Sequence, residues 1–347
     1  MSRTFARAPQ RGDPCDPTTT SFPRTPVRAR YSPVGHVRSV RARVAHTGRH
    51  RSPGPPPGQH PPRGAPLPFT LSHAAAVLPA VRTDGTGRGR LVPAVLVAGS
   101  FAPDMTYYAA SVVPGAMEFG TVTHSFPGVF TIDVLVAWAL VGLWLLLREP
   151  LVALLPRRRQ GRAATLLRCG TPRARVRTAL AARWYASAAV GGLTHVVWDA
   201  FTHHDRWGMR LFPALGRQVA GSPLYWYLQY GGSALAAVVI TVFCVHALRR
   251  APAAAEPSGV PVLSVRDRGW AVALIGGCMT VAGLQRASRW WAYWGSTAKP
   301  WELIPALCFG AGAGLVLGVL LYAAGVRLWR PAPVSDAREE TGLPLAR

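Results

Sequence analysis

Gly192-Leu193-Thr194-His195-Val196-Val197-Trp198-Asp199-Ala200-Phe201-Thr202-His203-His204 is the stretch on which the reading of the whole chain turns. It lies in an apolar run with helical spacing, where residues four apart share one face, so His195, Asp199 and His203 point towards one place. Ionisable groups inside a membrane-spanning helix are costly, and by default they mark a functional site with a partner nearby. Imidazole nitrogen and carboxylate oxygen suit zinc or a similar divalent metal. The competing reading is a His–Asp hydrogen bond that pins two helices together.

Working outward, the composition falls into two unlike parts. Of the 347 residues 49% are hydrophobic and the net charge is +24, but residues 1–66 hold twelve Arg, thirteen Pro and only two acidic residues. Such a segment cannot bury enough surface to offset its ordering entropy and reads as disordered. It lacks the single apolar segment of a signal peptide; it reads either as a basic tail drawn to anionic lipids of the cytoplasmic surface or, the favoured reading, as a mis-called start, with Leu67-Pro68-Phe69-Thr70-Leu71-Ser72-His73 the real beginning. From Leu67 the text changes to long apolar runs split by Arg-rich loops, which is the pattern of a polytopic membrane protein. Because the remaining Arg residues sit beside apolar helices, topology explains them and no nucleic-acid partner is expected. The five Cys have no framework spacing; Cys244, Cys278 and Cys308 read as small core residues.

The expected fold is an all-α helical membrane bundle of about five full spans, preceded by one or two short helices. The short ones are 70–81 and 91–102; the spans are Val129–Leu147, Ala179–Phe201, Tyr225–Leu248, Trp270–Leu284 and Leu303–Val326. The basic stretch 148–183 and the polar stretch 203–222 read as loops, and Trp290, Trp291, Tyr293, Trp294 and Trp301 as an interfacial aromatic belt. The domain plan is a head over 1–66, a membrane domain over 67–250, a linker over 251–268, a helix pair over 269–330 and a disordered tail over 331–347.

Lys and Arg in short loops mark the cytoplasmic side. Placing 148–183, Arg249-Arg250 with Arg266 and Arg268, and Arg327–Arg330 inside gives a consistent multi-pass topology in the cell membrane with a cytoplasmic C-terminus. Arg206, Arg210 and Arg217 are a mild exception outside. In that topology His73, Asp104, His124, His195 and Asp199 all fall towards the outer leaflet, with His195 about 6 Å deeper than Asp199 at a rise of about 1.5 Å per residue. Asp133, more than two turns inward of His124, reads as a buried polar link, and His204 as solvated.

Four segments resemble one family. Pro-Phe-Thr-Leu-Ser-His at 68–73, Ala-Gly-Ser-Phe-Ala-Pro-Asp at 98–104, Thr-His-Ser at 123–125 and Thr-His-x-x-Trp-Asp-x-Phe-Thr-His at 194–203 are similar to the bacterial membrane family called domain of unknown function 4184, over Leu67 to about Leu248. That resemblance implies no activity. A looser one is to membrane-bound metal-dependent hydrolases, and a looser one still to the ligand order of the zinc-dependent phospholipase C and P1 nuclease fold. The last implies His73, Asp104, His124, His195 and Asp199 as ligands of one or two ions, a carboxylate such as Asp104 bridging, and His203 as a further ligand. The N-terminal Trp ligand and later His-x-x-x-Glu pair of those enzymes are absent, which puts a three-metal site in doubt.

Three functions compete on these grounds. A divalent metal lowers the pKa of water and clamps developing charge, so a metal-dependent hydrolase acting on a phosphoester-type lipid or envelope substrate is the leading expectation, with Asp199 as the candidate base. A non-catalytic scaffold with helix-locking His and Asp residues is the second. A transporter is the third, disfavoured by the lack of internal repeats and by ligands gathered at one face and not at the midplane. Oligomeric state is not legible.

Overall fold

The computed structural model describes residues 70–170, 178–204, 206–253, 259–295 and 303–329. The Arg/Pro-rich head with His36, His46, His50 and His60, the tail 331–347, Trp301 and part of the linker lie outside the described residues. The described chain is mostly helical. A 3-10 turn at Thr70–His73 leads into α1 (Ala74–Val77) and a second such turn, so the expected short helix at 70–81 is three short pieces. α2 (Pro93–Phe101) begins on a proline, whose missing N–H costs nothing in a first turn. A 3-10 turn at Ala102–Asp104, α3 (Met105–Ala109), α4 (Gly120–Thr123) and α5 (Phe126–Phe130) follow. The long helices are α6 (Ile132–Leu154), α8 (Thr178–Thr202), α10 (Leu224–Arg250), α11 (Val265–Trp294) and α12 (Leu303–Trp329). Between them lie α7 (Arg157–Leu167), α9 (Trp207–Leu211) and a two-residue antiparallel hairpin, β1 (Gln218–Val219) with β2 (Ser222–Pro223).

Among the described residues, three helices are long and apolar enough to cross a membrane: α6, α10 and α12. α8 and α11 have the length but more polar residues. The span expected at Val129–Leu147 is displaced. The Ser125 hydroxyl caps α5 by accepting from the Gly128 amide at 3.1 Å, and Thr131 leaves helical geometry before α6 starts. At the other end α6 continues past Arg148 and Pro150, because the buried Arg148 guanidinium is paired with Glu149 at 2.7 Å and donates to the Leu167 carbonyl at 3.3 Å. The basic loop expected over 148–183 contains a helix, α7, which buries Gly161, Ala163 and Ala164 and leaves Arg157, Arg158, Arg159 and Arg162 outside.

The long helices alternate in direction, and their ends sort by charge. At one end Arg162 donates to the Arg249 carbonyl, Arg183 to the Arg90 carbonyl, Arg268 to the Ala153 carbonyl and Arg327 to the Leu146 carbonyl. At the other end the start of α6, the end of α8, the start of α10 and the ends of the α11/α12 hairpin that face the 290–303 connection come together around α3, α4 and α5. Arg286 there donates to the Tyr107 carbonyl at 2.8 Å and the Ser111 hydroxyl at 2.6 Å.

Two helix crossings have backbone against backbone. A Cβ on Gly99 would lie 2.4 Å from the Ala188 carbonyl oxygen, and one on Gly191 would lie 2.3 Å from that of Leu96, so α2 and α8 meet with no side chain between them. In the same way a Cβ on Gly314 would lie 2.2 Å from the Cys278 carbonyl oxygen, closing α12 on α11. Beside the first crossing, Val95, Ala98, Ala102, Val134, Ala137, Val141 and Ala188 form the core of α2, α6 and α8.

Candidate metal centre

The candidate ligands arrive from four segments. His73 ends the first 3-10 turn, Asp104 ends the 3-10 turn after α2, His124 caps the C-terminus of α4, and His195 and Asp199 sit one turn apart on α8. The α2/α8 crossing brings the Ser100 carbonyl to the His195 ring, whose Nδ1–H donates to it at 2.7 Å. The His124 Nδ1–H likewise donates to the Gly120 carbonyl at 2.9 Å. With Nδ1 of both rings spent on carbonyls, the Nε2 lone pairs face inward, which is how proteins orient metal-binding imidazoles.

What those nitrogens face is two carboxylates, at distances too long for hydrogen bonds. His124 Nε2 lies 3.4 Å from Asp104 Oδ1 and 3.5 Å from Asp199 Oδ2. His195 Nε2 lies 3.4 Å from each of the same two oxygens. N–H···O bonds fall at about 2.7–3.2 Å, and neither Nε2 has a hydrogen-bond partner. By contrast, four ligands at about 2.0–2.2 Å from a tetrahedral zinc lie about 3.3–3.6 Å from one another. These four donors all fall within 4.8 Å of one another. Their residues are sealed from solvent, with His195 at 0%, Asp104 at 1%, Asp199 at 2% and His124 at 6% exposure, so the carboxylate charges need a counter-charge beside them.

The two other candidates stand on the far side of Asp199. Its Oδ1, with no hydrogen-bond partner, lies 3.6 Å from His73 Nε2 and 3.6 Å from His203 Nδ1. His73 stacks on His195 with ring centroids 3.7 Å apart; burial first, and the neighbouring His195 second, push its pKa down to about 3, keeping the imidazole neutral. His203 differs from the rest: the Gln229 amide nitrogen lies 3.2 Å from its Nε2, and its Nδ1 lies 3.3 Å from the Asp199 carbonyl. With Gln229 donating to Nε2, Nδ1 keeps its proton and directs it at the Asp199 main-chain carbonyl. Thr70 donates to Asp104 Oδ2 at 2.6 Å, whereas both oxygens of Asp199 lie 3.4–3.6 Å from imidazole nitrogens.

Several contributors escaped the sequence reading. Thr70 lay inside a quoted motif but carried no assigned role. Thr123 donates to the Pro103 carbonyl at 2.8 Å and so ties α4 to the Asp104 turn. Tyr107 lays its ring 5.5 Å from His124 and 5.7 Å from Phe309, and burial pushes its phenol up to about 12. Asp133 is not the polar link expected of it: both carboxylate oxygens are buried without a hydrogen-bond partner. His204 is exposed, as expected, with its ring 6.0 Å from that of Tyr225.

Residues 67–324 match the family described as a domain of unknown function, DUF4184, and the chain belongs to that family. The match runs well past Leu248 and takes in most of the α11/α12 hairpin. No curated protein and no solved structure matches the chain.

Proposed function

We propose, starting from membership of a family to which its description attaches no activity, that this chain is a metal-dependent hydrolase of the cell membrane. It crosses the bilayer five times, through α6, α8, α10, α11 and α12, with the C-terminus in the cytoplasm. The sorting of Arg162, Arg183, Arg249, Arg268 and Arg327 to one end supports that orientation through the positive-inside bias. The candidate centre then lies at the outer leaflet, where a phosphoester-type lipid or envelope substrate is met.

The observation that carries the metal reading is the set of four His–Asp separations at 3.4–3.5 Å around two orphaned Nε2 atoms. A scaffold locked by His–Asp hydrogen bonds would close those gaps to below about 3.2 Å. Two imidazoles and two carboxylates suit zinc, and His73 beside Asp199 Oδ1 offers room for a second ion. A bound divalent ion would supply Lewis acidity and a lowered water pKa. The chain's own part is to orient both rings from Ser100 and Gly120, to exclude bulk water, and to present Asp199 Oδ1 as acceptor of a proton from the attacking water.

Metal content of the purified protein tests this, compared with His195→Ala and Asp199→Ala. At least one zinc per chain in the wild type, lost in both variants, with phosphodiester hydrolysis lost alongside, is the expected result. A folded wild type that binds no divalent metal would end the proposal.

A further inference from the structure

Beside the four donors lies a cavity of about 190 Å³ lined by His124, Val196, Asp199, Arg206, Trp207 and Arg210. His124 and Asp199 belong to the candidate centre; the polar groups of the remaining wall are all donors. Arg206 and Arg210 have no carboxylate within ion-pair distance among the described residues. The Trp207 N–H is buried with no acceptor. Guanidinium and indole N–H groups donate and cannot accept, and a guanidinium fork matches phosphate oxygens two at a time.

The placement of these donors is built into the backbone. Arg206, the extended residue just before α9, and Arg210 within α9 both line the cavity. α9 is clamped to the end of α8 at Gly208, where a Cβ would lie 2.1 Å from the Ala200 carbonyl oxygen. Packing of the Trp207 ring 5.5 Å from Phe201 and 6.2 Å from Phe126 holds it there. At about 190 Å³ the cavity is smaller than the roughly 300–1,000 Å³ of pockets that enclose a whole ligand, so it suits one end of a molecule.

We infer that this cavity receives the phosphate group of a phosphate ester, with Arg206 and Arg210 as its positioning cations and the rest of the ester left outside. The inference rests on the metal reading, since an anion beside Asp104 and Asp199 needs their charge offset. Lipid headgroups and soluble phosphoesters share the recognised chemistry.

The test is calorimetric titration of inorganic phosphate into the full chain in detergent, with and without added zinc. The variants are Arg206→Gln, Arg210→Gln, the double variant and Arg206→Lys/Arg210→Lys, with zinc content measured for each. The expected result is zinc content unchanged throughout, phosphate affinity down roughly tenfold for each single Gln variant, no measurable binding for the double, and partial recovery with Lys. Phosphate binding as tight in the double Gln variant as in the wild type overturns the inference while leaving the metal reading intact. A wild type without zinc defeats the metal reading and this inference together, since the charge of Asp104 and Asp199 then has no offset. Displacement of bound phosphate by dihexanoyl phosphatidic acid but not by glycerol phosphate assigns the site to a lipid headgroup; displacement by both assigns it to a soluble ester; displacement by neither overturns the ester.

Discussion

Gly191→Ala is expected to weaken metal binding although residue 191 touches no metal ligand. In an exposed helix interior, alanine for glycine stabilises by about 1 kcal/mol. At Gly191 the new Cβ would sit 2.3 Å from the Leu96 carbonyl oxygen and 2.8 Å from the Ser100 amide nitrogen, both backbone atoms with no rotamer to swing away. Relief to an ordinary contact of about 3.4 Å needs α2 and α8 to part by roughly 1 Å at the crossing. The same crossing carries the 2.7 Å bond from His195 Nδ1 to the Ser100 carbonyl. A shift of that size stretches the bond past useful length, frees the ring, and misplaces Nε2 by more than the ~0.2 Å that a metal–ligand distance tolerates. Loss of such an orienting contact costs about 10–100-fold in metal affinity. Competition with a chelator indicator measures this, with Gly231→Ala as control, since nothing lies within 4 Å of a Cβ there. Unchanged affinity in Gly191→Ala, or an equal loss in both variants, would refute the backbone-crossing account.

Other expectations follow from single contacts. Thr70→Val removes the 2.6 Å donor to Asp104 Oδ2 and lowers zinc affinity about tenfold, read by the same chelator assay; Thr70→Ser, which keeps the hydroxyl, restores most of it. Asp133→Asn leaves zinc content intact and does not lower the thermal midpoint, because the carboxylate it replaces is buried without a partner; a fall in zinc content would instead tie Asp133 to the charge balance of the centre. Tyr322→Phe removes the hydroxyl that donates to the Pro150 carbonyl at 2.7 Å and destabilises by about 1 kcal/mol, measured by thermal unfolding in detergent. The His73 ring in metal-free protein stays neutral at pH 5, its pKa lying near 3 chiefly through burial, and nitrogen chemical shifts report this; protonation near pH 6.5 would show the ring to be solvated.

Much of this was legible because polar residues stand out in apolar text. The i, i+4 pair His195 and Asp199 needed only helical spacing, and the positive-inside bias gathered His73, Asp104 and His124 towards the same end. The roles of Ser100 and Gly120 were hidden, since a carbonyl acceptor leaves no mark in the side-chain alphabet. Gly99 and Gly191 were visible as letters but not as a crossing, which depends on partners about ninety residues apart. His203 looked equivalent to His195 by spacing, yet the amide of Gln229, from a different helix, gives it another task. α7 was read as a loop because its arginines dominate the text while Ala163 and Ala164 supply the packing face.

The Arg286 guanidinium reaches from α11 to the main chain at Tyr107, whose ring stands between His124 and Phe309 of α12. The hairpin therefore meets the ligand-bearing bundle here as well as at α6, through Tyr322, Arg268 and Arg327, like a lever resting on the rim of a cup. A lipid layer too thick or too thin for α12 would tilt that lever, and Tyr107 would pass part of the strain to His124.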